Sequence, residues 1–145
     1  MKTWNSWVIV VILLVVPVTL GGLGCGGPLE YVVHGTPTAP ESDWKIIADV
    51  DKSQAMTRLE IEIEHLAEPG RFAEGGKVFV AWARPDDDSA WQRIGSLEYD
   101  DDDREGFLKQ ASVPMVSFEL IVSVEEKVGA EVPSGTIVLT QKVND

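Results

Sequence analysis

Leu59-Glu60-Ile61-Glu62-Ile63-Glu64 is a run in which every odd position is apolar and every even position is a carboxylate. Successive side chains of a β-strand leave on opposite faces, so the run reads as a half-buried strand with one oily side and one anionic side. Working outward, Phe118, Leu120, Val122 and Val124 form a second oily face, opposed by Glu119, Ile121, Ser123 and Glu125. Val78, Val80 and Trp82 form a third, and there the opposite positions Phe79, Ala81 and Ala83 are apolar as well. A strand apolar on both sides is central in its sheet or is covered by another surface. From Trp44 onward no convincing helical period competes with this alternation.

The alternation and its punctuation predict about seven strands, near residues 44–50, 56–66, 76–84, 90–98, 105–113, 116–125 and 135–143. Between them lie turn compositions: Glu68-Pro69-Gly70, Glu74-Gly75-Gly76, Pro85-Asp86-Asp87-Asp88, Asp100 to Asp103, and Val132-Pro133-Ser134-Gly135. The last suits a type I turn with Pro second and Gly fourth. Short strands at this spacing imply an all-β fold, an antiparallel, immunoglobulin-like β-sandwich over residues 44–145.

What precedes the sandwich differs in kind. Of the 145 residues, the first 24 hold 15 apolar side chains, one cation (Lys2) and no acid. The remaining 121 residues carry 11 cations against 24 acids, a net charge of −13. That balance argues against nucleic acid, whose phosphates need Lys and Arg, and against docking on anionic headgroups. A single cysteine, Cys25, rules out an internal disulfide framework and any Cys-rich zinc or iron–sulfur site. Residues 25–43, with Gly26-Gly27-Pro28 and two further prolines, read as a Gly/Pro-rich tether.

Residues 1–24 have the layout of a secretory signal: Lys2, an apolar run from Val8 to Leu20, then the small-residue tail Gly21-Gly22-Leu23-Gly24 before Cys25. A helix over Val8 to Leu20 would span about 20 Å, short of a hydrocarbon core about 30 Å thick. Gly24 before Cys25, with Leu20 upstream, resembles a bacterial lipoprotein signal. The resemblance implies cleavage before Cys25, lipid on its sulfur, and a domain outside the cytoplasmic membrane. Gly22 and Leu23 depart from the usual lipoprotein register, and an uncleaved anchor from Trp4 to about Leu23 is the competing reading. Either one puts the domain on the same side.

The domain itself resembles the extracytoplasmic C-terminal domain of anti-sigma-K factors over about residues 56–143. Val78-Phe79-Val80-Ala81-Trp82-Ala83 is similar to that family's aromatic strand, and Arg93-Ile94-Gly95-Ser96-Leu97 to its following Leu-Gly strand. Ile121-Val122-Ser123-Val124-Glu125 and Pro133-Ser134-Gly135-Thr136-Ile137-Val138-Leu139 resemble its last two strands in order. The family's cytoplasmic sigma-binding domain has no counterpart here, so the resemblance implies a sensing or protein-binding sandwich and not sigma sequestration.

Catalytic chemistry has little to stand on. Nucleophilic catalysis needs a Ser or Cys beside a base, commonly His. His34 falls in the expected tether, and His65 reads as a satisfied histidine at a sheet end. The acid runs at 86–88 and 100–103 offer oxygen to calcium but lack the alternating Asp spacing and Gly of an EF-hand loop. Solvated turns that discourage edge-to-edge association are the plainer reading. No cofactor is expected. The expectation is a non-catalytic envelope lipoprotein, bound to the membrane through lipid on Cys25 and to an envelope protein through its sandwich. The Phe79, Ala81, Ala83 face is the candidate contact, unless it packs internally on the second sheet. A structural or adhesive surface protein is the alternative, and a secreted carboxylate-dependent hydrolase a distant third.

Overall fold

The computed structural model describes residues 26–144, and these form a two-sheet antiparallel β-sandwich. The expected signal segment 1–24 and Cys25 lie outside the described residues. Among the described residues there are nine strands: β1 (Leu29–His34), β2 (Asp43–Asp51), β3 (Met56–Glu64), β4 (Val78–Arg84), β5 (Gln92–Ser96), β6 (Glu98–Asp100), β7 (Glu105–Val113), β8 (Phe118–Glu125) and β9 (Ile137–Val143). One helical turn, Pro69–Phe72, joins the sheets between β3 and β4, and among the described residues no helix is long and apolar enough to cross a membrane.

The first sheet runs β1-β2-β3-β7-β6 and the second β5-β4-β8-β9. Setting β1 aside, this is the A-B-E-D and C′-C-F-G arrangement of the immunoglobulin fold. Alternation decides the core as expected on β3, where Leu59, Ile61 and Ile63 are buried and Arg58, Glu62 and Glu64 are exposed. Trp44, Ile46 and Ala48 of β2, and Leu120, Val122 and Val124 of β8, complete the two inner faces. Each such Ile or Leu withdrawn from water is worth about 1.5–3 kcal/mol before the entropy of ordering it.

Two expectations need correction. The stretch 25–43 is not a tether throughout: Leu29–His34 pairs along its whole length with β2, and Ala39 and Ser42 are buried. The Gly and Pro flanks disguise six strand residues that gain order only by adding to an existing edge. Nor is 90–98 one strand of one sheet. Leu97, buried between β5 and β6, donates its N–H to Phe79 O at 2.9 Å, and there the chain leaves the second sheet for the first. Strand count and boundaries therefore shift from seven to nine while the sandwich stands.

Candidate functional site

Strand β4 presents the question on which a contact surface turns, because both its faces are apolar. Phe79, Ala81 and Ala83 point inward and are completely buried, so the face expected to meet a partner belongs to the core. The Phe79 ring is held edge-on between Phe72 (5.9 Å) and Tyr99 (5.4 Å). Val80 and Trp82 point outward, yet they are buried too, in a second small cluster with Ile121. The connection from β8 to β9, residues 126–136, lies over this outer face.

Glu125, the last residue of β8, fixes that connection. Alternation assigns it to solvent, but it is buried. Its carboxylate accepts from Ser123 Oγ (2.6 Å), Ser134 Oγ (2.6 Å), Ser134 N (3.0 Å) and Gly135 N (3.2 Å). Ser123 Oγ in turn accepts from Trp82 Nε1 at 2.8 Å, so the indole, the hydroxyl and the carboxylate form one chain across the face. Burial pushes the Glu125 carboxyl up, but the hydrogen bonds from Ser123, Ser134 and Gly135 outweigh it and hold the group below its ordinary value. Gly135 is required here by close approach: a Cβ on it would lie 1.6 Å from Val124 O.

A second support stands at the other end of the sheet. Arg84 Nε and Nη2 both donate to Glu119 Oε2, at 2.9 and 2.7 Å, and Nη2 also reaches Asp87 Oδ1 at 2.8 Å. The guanidinium lies 4.3 Å from the centre of the Trp91 ring, fixing the indole by a cation–π contact. Between Trp91 and the 132–137 segment runs a groove of about 440 Å³ with Ile121 at its base and Val132, Pro133 and Ile137 along one wall. Val132 and Ile137 are among the few large apolar side chains exposed in the described residues. Exposed carboxylates flank both walls: Asp86, Asp87 and Asp88 in the turn before Trp91, and Glu131 beside Val132.

The remaining candidates lie elsewhere. His65, just beyond β3, and His34, at the end of β1, both face Asp43, with His34 Nδ1 2.7 Å from Oδ1 and His65 Nδ1 3.1 Å from Oδ2. Hydrogen bonds from the two imidazoles hold the Asp43 carboxyl below its ordinary value. His65 is thus a satisfied histidine at a sheet end, and His34 belongs to a strand and not to a linker. Asp86 accepts from Asp88 N and Ser89 Oγ, and Asp100 from Asp102 N and Asp103 N, so each acid run caps its own turn. Among the described residues no three His, Cys, Asp or Glu side chains are placed to hold a metal ion.

Sequence reasoning missed Glu125, Ser123 and the groove. The only local signal was the Ser134-Gly135 pair, which reads as a turn and acts as a clamp. No protein-family model, curated protein or solved structure matches this chain significantly.

Proposed function

We propose that this chain is a lipid-anchored protein of the bacterial cell envelope whose sandwich is a non-catalytic module binding another envelope protein, through the groove between Trp91 and the 132–137 segment. The observation that carries the reading is the construction of that groove. Val132 and Ile137 on one wall are exposed and Trp91 on the other is half-buried, and each wall is fixed by a buried or half-buried charged group: Arg84 under Trp91, Glu125 under Ser134 and Gly135. Pre-set walls lose little freedom on binding, which favours affinity. Acids on both rims and the net charge of −13 after residue 24 favour a partner segment carrying an apolar side chain beside Lys or Arg.

The lipid attachment rests on the resemblance at Gly24-Cys25. With β1 beginning at Leu29, only residues 26–28 separate Cys25 from the sheet, about 10 Å of extended chain, so a lipidated Cys25 would hold the domain close to the bilayer. Two arms test the proposal. Cys25→Ala should move the protein from the membrane to the soluble fraction, and persistent membrane association would defeat the lipid anchor. Cross-linking on intact cells should capture a partner that Ile137→Asp and Trp91→Ala both lose while the fold is retained. A partner equally well captured by both variants would defeat the groove.

A further inference from the structure

Four strands form the edges of the two sheets, and three of them are blunted. β6 has only three residues and runs into the acid turn at 100–103. β5 pairs with β4 through a bulge and carries Arg93. β9 contains a bulge and Lys142, and side chains bond to the chain along it: Thr36 Oγ1, in the loop after β1, donates to Val138 O at 2.7 Å, and Tyr31 Oη to Asn144 O, just past β9, at 3.3 Å. β1 has none of these protections. It holds no Pro, Lys or Arg, its register with β2 is unbroken, and among the described residues no other bond reaches its backbone. An open edge of this kind is a template for another strand.

We propose that β1 pairs antiparallel with β1 of a second copy of this chain, about a two-fold axis at Val32, joining two first sheets into one. The sequence of the edge is self-complementary in that register. Glu30 falls opposite His34 of the other copy, Tyr31 opposite Val33, and Val32 opposite itself. Val32 is 56% exposed on the outer face, and the pairing covers it with its own symmetry mate. Tyr31 and Val33, half-buried against the core, lose their remaining exposure on the inner side. Glu30 lies 3.8 Å from Lys45, so its charge is already matched within its own copy, and the Val32 pair on the axis brings no charge into the new ladder. The closed two-fold arrangement repeats each contact and leaves no β1 edge open for further growth.

The test uses the full chain in detergent. Val32→Cys should form a disulfide-linked dimer on oxidation, since paired residues across an antiparallel ladder place their Cα atoms within disulfide reach. Val128→Cys, at a site 65% exposed in the loop after β8, rides in the same micelles and should stay monomeric beyond the background set by Cys25 in the unaltered chain. Val32→Lys should weaken association about tenfold, because the two-fold axis sets the two like charges directly opposite each other. Equal cross-linking of the two cysteine variants, or a dimer indifferent to Val32→Lys, would overturn the proposal.

Discussion

Replacing Glu125 by Ala should cost about 2–4 kcal/mol, the range for leaving two backbone donors without their acceptor. The magnitude follows from what the carboxylate leaves behind. Ser123 Oγ and Ser134 Oγ can rotate to other acceptors, but the N–H groups of Ser134 and Gly135, at 3.0 and 3.2 Å, are fixed by the backbone and would lose their acceptor in a half-buried site. Each stranded donor costs about 1–3 kcal/mol. Glu125→Gln keeps an oxygen for both N–H groups and asks only that Ser134 Oγ turn to accept from the new amide, so about 1–2 kcal/mol is expected. Guanidinium unfolding at pH 7, with unchanged m-values, reads both numbers. The carboxyl is held below its ordinary value of 4.5, so its contribution is complete above that pH and fades as pH falls through the lower folded value. The gap between the unaltered chain and Glu125→Gln should therefore narrow below pH 4.5. An Ala variant within 1 kcal/mol of the unaltered chain, or a gap indifferent to acid, would show that the clamp over the outer face is not held by this charge.

Three further outcomes bear on the same face and on the core beneath it. Gly135→Ala should destabilise by about 1–3 kcal/mol, the usual range for overpacking, and raise amide exchange across 130–136, because its Cβ would collide with Val124 O. Arg84→Ala should shift Trp91 fluorescence to longer wavelength and cost about 1–2 kcal/mol. Arg84→Lys should restore charge without the forked contact to Glu119, and so should leave most of the spectral shift in place. Ile61→Ala, at a completely buried position of β3, should cost about 2–5 kcal/mol by thermal or chemical unfolding, with no change at the groove.

The two halves of the reading separate on physical grounds. Period-two alternation is a local property, because strand geometry sends neighbouring side chains to opposite faces whatever surrounds them. Leu59 to Glu64 therefore declared both a strand and its buried side, and the acid turns and β-rich spacing declared a sandwich. Where a strand is apolar on both faces the rule is silent. Only the crossing of the sheets puts Phe79, Ala81 and Ala83 into the core, with Val80 and Trp82 under the 126–136 connection. Glu125 looked like a solvated carboxylate because its partners, Ser134 and Gly135, come to it only when the chain folds back over β8. β1 looked like tether for a related reason: six residues between Pro28 and Gly35 become a strand by borrowing the edge of β2. The sequence by itself determined the strands that alternate clearly, such as β3 and β8, and the charge. Tertiary structure alone decided which face is inside, which acid is buried and which edge is left open, since each depends on groups that meet only in three dimensions.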